Sequence, residues 1–164
     1  PPPPAPTPPP VAISATFFLE TFESGLGAFQ TNNAKSTNKI FNSALGSKKS
    51  IELKSTGTQI VTAGSYDISN YSQVQISLWC YTTKGVSGDS IVVDVSTTNG
   101  ASWDNAGRFS RDTDFRTDKT WFQQSLVWNK PSGITSVRLR ITTTSTSSSS
   151  KGKLYLENVS MDGK

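Results

Sequence analysis

Histidine is absent from the 164 residues, and cysteine and methionine occur once each. Without histidine there is no Ser–His or Cys–His nucleophile pair and no imidazole base titrating near neutrality, and most zinc sites are excluded. A lone Cys80 cannot close an internal disulfide, so this is not a disulfide-stapled scaffold. Set in an alternating apolar strand, Cys80 reads as a small buried hydrophobe. No apolar run approaches the ~18–20 residues needed to span a bilayer, so no membrane insertion is expected. Proline is almost missing from the body of the chain: Pro131 alone lies outside Pro1–Pro10. A hydrolase built from this inventory would have to work through a carboxylate pair or a lysine, and the absences favour binding over catalysis.

What is present is hydroxyl-rich. Ser and Thr occupy 45 positions, whereas hydrophobic residues make up only 34%. That balance points to β-structure rather than a helix bundle, and the length suits one domain. Pro1–Pro10 (PPPPAPTPPP) favours an extended polyproline II rod, which reads as an inter-domain spacer; the sharper alternative is a proline ligand for an aromatic groove. The expected organisation is therefore a Pro-rich linker, residues 1–10, followed by a binding domain, residues 11–164. Such a spacer implies a further module, expected to be catalytic, in the parent chain. A second low-complexity patch, Thr142–Ser150, lacks apolar anchors and predicts a loop between two strands.

From Ala15 onward the hydrophobic period is mostly two. Val74, Ile76, Leu78 and Cys80 share one face of a strand, with Gln73, Gln75, Ser77, Trp79 and Tyr81 on the other. Ile91, Val93 and Val95 alternate with Val92, Asp94 and Ser96; Val137, Leu139 and Ile141 alternate with Arg138, Arg140 and Thr142. Further strands are predicted over Thr16–Thr21, Ser50–Lys54, Gln59–Ala63, Trp121–Trp128 and Lys153–Met161. Short strands divided by Gly, Asn, Ser and Asp turns predict an all-β antiparallel sandwich.

If the aliphatic faces form the core, the opposite faces display Trp79, Tyr81, Asp94, Arg138 and Arg140. On the last strand, Leu154, Leu156 and Asn158 alternate with Tyr155, Glu157, Val159 and Met161, so Tyr155 and Glu157 join the outward set. Aromatic faces beside charged donors and acceptors suit a sugar, whose axial hydrogens stack on a ring while its hydroxyls take hydrogen bonds. The competing reading is a packing role, or cross-strand Arg–Asp pairs that solubilise an exposed sheet. Ser96–Trp103 (STTNGASW) is similar to an Asp-box hairpin with Thr98 in the Asp position. Its content is turn chemistry, with Asn99-Gly100 supplying a positive-φ pair, and Trp103 reads as structural.

The ends of the chain carry a wider resemblance. Phe22-Glu23-Ser24-Gly25-Leu26-Gly27-Ala28-Phe29 near the start and Leu154–Gly163 (LYLENVSMDG) near the finish bracket Tyr66–Tyr71, the Val74–Tyr81 strand and the hairpin. In that order they resemble jelly-roll carbohydrate-binding modules and the related MAM-like domains of extracellular multidomain proteins. The resemblance implies a secreted or cell-surface, non-catalytic module that targets its parent protein to a polysaccharide or cell-wall glycan, monomeric within a larger chain. It also implies a structural Ca²⁺ tying the first strand to the last, with Glu23 and Glu157 as the matching acids and Asp162 nearby.

The net charge of +4 is compatible with an acidic partner. Lys35, Lys39, Lys48, Lys49 and Lys54 cluster early, and Arg108, Arg111 and Arg116 punctuate an expected loop after the hairpin. No helix-turn-helix, KH loop or zinc finger is present, and Asp112, Asp114 and Asp118 offset the arginines, so nucleic acid is not expected. Two alternatives stand beside the glycan reading. One is a protein-directed adhesion or structural wall module. The other is a small polysaccharide lyase that uses Arg with Tyr81 or Tyr155.

Overall fold

The computed structural model describes residues 14–32, 34–37, 49–54, 57–145 and 152–164. The Pro1–Pro10 linker, Lys39, Lys48 and residues 146–150 of the low-complexity patch lie outside them. Twelve strands form, with no helix among the described residues: β1 Ala15–Glu20, β2 Phe29–Thr31, β3 Lys35–Thr37, β4 Ser50–Lys54, β5 Gln59–Thr62, β6 Tyr66–Asp67, β7 Gln73–Thr83, β8 Ser90–Ser96, β9 Asp104–Ser110, β10 Trp121–Asn129, β11 Ser136–Thr144 and β12 Lys153–Gly163. They divide into two antiparallel sheets. One runs β10-β7-β12-β4-β3, with β1 also on β12; the other runs β2-β5-β11-β8-β9, with β6 on β11. This is the all-β sandwich that the alternation predicts.

The core lies where the two alternating faces meet. Val74, Ile76, Leu78 and Cys80 of β7, with Ile51 and Leu53 of β4, face Ile91, Val93 and Val95 of β8 and Val137, Leu139 and Ile141 of β11, and all are fully buried. Removing each such side chain from water contributes about 1.5–3 kcal/mol. Phe18, Phe22 and Phe29 close one end through edge-on and tilted ring contacts, while Phe115 fills the other. At the side where β9 approaches β10, Gly107 leaves room for Leu126: a Cβ there would lie 2.7 Å from its Cδ2.

Three expectations are corrected here. On β12, Val159 and Met161 do not share the outward face of Tyr155 and Glu157; both are fully buried beside Leu156. The reason is a β-bulge. Glu157 opposes Trp79 and Ser160 opposes Ser77, so β12 advances three residues while β7 advances two. Asn158 absorbs the extra residue at φ 47°, in the left-handed region that Asn tolerates better than most residues. The second correction concerns Thr142–Thr144, which continue β11 rather than open a loop, because Thr143 is buried and hydrogen-bonded to Thr58. The third is Arg108, which stands on β9, opposite Val92, and not in a loop.

Cys80 is the buried hydrophobe its strand position predicts. Burial, seconded by the charge of Asp114, pushes its thiol up to about 12. The native protein is therefore expected to resist a thiol-specific reagent at mildly alkaline pH and to react with one equivalent after denaturation. Rapid native-state labelling, followed by absorbance, would refute this packing.

Candidate functional site

The outward face of the first sheet is built by the same alternation that fills the core. The register sets Trp121 of β10 opposite Tyr81 of β7, Tyr81 opposite Tyr155 of β12, and Tyr155 opposite Glu52 of β4. A second row runs Gln123, Trp79, Glu157. The Tyr81 ring lies 5.3 Å from Trp121 and 6.0 Å from Tyr155, centroid to centroid. The Tyr155 hydroxyl donates to Glu52 Oε2 at 3.2 Å, and Lys153 Nζ pairs with Glu52 Oε1 at 3.0 Å, so one carboxylate orients both neighbours. Tyr81 and Tyr155 form a buried floor, whereas Trp79 and Trp121 are half-buried and present ring surface to solvent.

Farther down the β7–β10 pair the face turns polar. Gln75 Nε2 donates to Ser77 Oγ at 3.4 Å, Ser77 Oγ to Ser125 Oγ at 3.2 Å, and Gln73 Nε2 to Asn129 Oδ1 at 2.9 Å. Every partner keeps unused donor or acceptor capacity. The Gln123 side chain has no hydrogen-bond partner among the described residues and is exposed.

The other members of the predicted constellation are elsewhere. Trp79, Tyr81 and Tyr155 belong to the first sheet, whereas Asp94, Arg138 and Arg140 lie on β8 and β11 of the second. The six do not share a face, because alternation tells which side of a strand a residue occupies but not which sheet the strand joins. Arg140 is spent on its own sheet: Nε and Nη2 reach Asp94 Oδ2 at 3.0 and 2.9 Å, and its guanidinium lies 4.5 Å from the Trp103 ring centre. Asn105 completes the pair by donating to Asp94 Oδ1 at 3.1 Å. This is the cross-strand Arg–Asp alternative.

Arg138 is a clamp. Its Nε and Nη2 donate to the Thr62 carbonyl and Nη1 to that of Asn99, which ties the hairpin turn to β5. The turn has the chemistry its sequence predicts: Asn99 and Gly100 have φ of 55° and 93°, and Ser96 Oγ and Thr98 Oγ1 each accept a 2.8 Å bond from the N–H of Gly100 and Ser102.

Of the acids assigned to calcium, Glu157 and Asp162 do not stand together. Glu157 and Asp162 stand opposite Trp79 and Gln75, a separation of about 13 Å along the strand. Asp162 is bonded to the hydroxyls of Thr16 and Ser160, and Glu23 accepts the N–H of Lys49 at 2.9 Å. Among the described residues no group of three or more Asp, Glu, His or Cys could hold a metal ion. The carboxylate that does organise the first turn is Glu20, which accepts the N–H of Phe22 and of Ala28 at 2.8 Å each.

Trp121, Gln123 and Glu52 are the residues that sequence reasoning missed on this face. Their signal is ordinary alternation: Gln123 and Ser125 interleave with inward Phe122, Leu126 and Trp128, and Glu52 interleaves with Ile51 and Leu53.

Comparison with known proteins bears on this arrangement. No family profile matches the chain, and no curated protein matches it in sequence. Solved structures do match. The Clostridium thermocellum endo-1,4-beta-D-xylanase 10B CBM22-1–GH10 modules, complexed with xylohexaose, align with a TM-score of 0.63 at 12% identity over 91% of this chain, which spans 28% of that one. The CBM22-1 xylan-binding domain of Paenibacillus barcinonensis Xyn10C aligns at 0.61 and 14% over 93% of this chain and 96% of its own. The fold is the jelly-roll sandwich of these two structures. The K3 cleaved adhesin domain of Lys-gingipain from Porphyromonas gingivalis W83 shares it, with a TM-score of 0.65 and 16% identity over 93% of this chain and all of that domain.

The geometry carries two measurable consequences. Burial, with the nearby Glu52 charge second, pushes the Tyr155 hydroxyl from 10.0 up to about 12. The folded protein keeps that proton to higher pH than the unfolded chain does, so stability falls as pH rises from about 10 toward 12. Tyr155→Phe flattens that decline in denaturant titrations, and an unchanged slope would contradict the burial of Tyr155. Arg138→Met strips donors from two carbonyls and is expected to cost about 1–3 kcal/mol of stability by the same titrations. A loss below measurement would show the clamp to be idle.

Proposed function

We propose that this chain is a non-catalytic carbohydrate-binding module that holds a polysaccharide against the outer face of its first sheet. The observation that carries the reading is the pair Trp79 and Trp121, partly exposed on adjacent strands, with Trp121 packed beside the buried Tyr81–Tyr155 pair. An indole held by such packing offers its face to the axial C–H groups of a sugar ring at little entropic cost. The amide of Gln123 stands beside them for the hydroxyls. That two of the solved structures sharing the fold carry xylohexaose or are described as xylan-binding supports the same reading.

A module of this kind raises the concentration of its parent protein on the polymer. Because such polymers lie outside cells, we place it on a secreted or surface-borne parent chain. No helix among the described residues is long and apolar enough to cross a membrane. Calcium has no part in the proposed contact. Arg138 and Arg140 lie on the sheet opposite Tyr81 and Tyr155, and a tyrosine pushed toward 12 is a poor base near neutrality, so the binding reading is preferred to a lyase.

The test is retention on a panel of immobilised polysaccharides. Trp79→Ala and Trp121→Ala are each expected to weaken retention by about tenfold or more, with thermal midpoints close to the parent's. Arg116→Ala, at an exposed loop position, serves as the control and leaves retention unchanged. Full retention in both tryptophan variants overturns the site. If the unaltered protein is retained by no glycan, protein-directed adhesion becomes the better reading.

A further inference from the structure

We infer that the ligand is an uncharged polysaccharide chain that lies along β7 and β10 instead of crossing the sheet, an inference that rests on the carbohydrate-binding reading above.

Burial decides the direction. A chain crossing the sheet from the tryptophans would pass over β12 and β4, where Tyr155, Glu157 and Glu52 are only 1%, 2% and 7% exposed. Those side chains have almost no surface left to give. Along β10, by contrast, Gln123, Ser125, Val127 and Asn129 are all exposed, and Val127 keeps 47% of its surface. The open track therefore starts at the tryptophans and follows the strands. From Trp121 to Asn129 it spans the nine residues of β10, about 26 Å, or roughly five sugar rings of an extended chain.

Charge decides the class. The ten outward positions within Gln73–Tyr81 and Trp121–Asn129 hold aromatic, amide, hydroxyl and valine side chains, with no ionisable group apart from the buried Tyr81 phenol. In the same sheet face, Glu52, Lys153, Glu157 and Asp162 are confined to β4 and β12. The track therefore holds no counter-ion of its own for a uronate or sulfate. It offers instead paired amides and hydroxyls, Gln73 with Asn129 and Ser77 with Ser125, each able to donate and accept toward a neutral sugar.

The experiment measures affinity for neutral ladders, xylose and glucose β-1,4 oligosaccharides from the disaccharide to the hexasaccharide, by calorimetry at low and high salt. Affinity is expected to climb with each added unit to the pentasaccharide and to be insensitive to salt. Asn129→Ala, at the far end of the track, is expected to weaken the hexasaccharide about three- to tenfold while leaving the disaccharide unchanged. Retention of a neutral polymer with no gain along either ladder overturns the inference. So does a hexasaccharide that ignores Asn129→Ala, or preferential binding of polygalacturonate or alginate that salt abolishes. In each of those results the carbohydrate-binding reading survives. It fails separately if neither the ladders nor any polysaccharide, neutral or acidic, binds the unaltered protein.

Discussion

The pairing of β7 with β12 at the centre of the first sheet, and the bulge that interrupts it, is the constraint on which the molecule depends. Only one face of β12 meets the core between the sheets, so without a one-residue shift Val159 and Met161 would share the outer face of Tyr155 and Glu157. The bulge at Asn158 supplies that shift. N-terminal to it, Leu154 and Leu156 point inward and leave Tyr155 and Glu157 on the outer face. C-terminal to it, Val159 and Met161 take over the core while Ser160 and Asp162 stay outside. One residue in the left-handed region thus lets eleven consecutive residues serve both the core and the outer face.

The same strand organises its neighbours. Its first half runs between β7 and β4 and its second between β7 and β1, so it ties the start of the chain to its finish. The buried Tyr155–Glu52–Lys153 set is a consequence of that order, since Glu52 comes within reach only because β4 lies beside β12. Fixed from the β4 side, Tyr155 supports Tyr81, and Tyr81 supports Trp121. Trp121 is thus backed by a buried row of rings, which limits the ordering cost of stacking a sugar on it.

The two sheets spend their outer faces differently. On the second, Arg138 and Arg140 are consumed by carbonyls, Asp94 and the Trp103 ring, so charge and aromaticity there hold a hairpin against β5 and β8. On the first, the β7–β10 half carries no charge at all. The contrast explains how a chain with a sequence pI near 9.3 can display a neutral surface where its aromatic residues are exposed.

Sequence alone determined the architecture, because burial of an alternating face is a local property. Val74–Cys80, Ile91–Val95 and Val137–Ile141 each declare a half-buried strand whatever the partner, and Asn99-Gly100 declares its turn. It also determined that Trp79, Tyr81 and Tyr155 point away from the core. Which outward residues meet was decided by the tertiary structure, because sheet membership depends on contacts remote in the chain. Nothing local tells that β8 and β11 pair with each other while β7 pairs with β10 and β12. For that reason the predicted union of Trp79 with Arg138 and Arg140 dissolved and Trp121 took their place. The bulge at Asn158 belongs to the same class. Asn permits a left-handed backbone, but only the demand that Val159 and Met161 reach the core makes the chain use it.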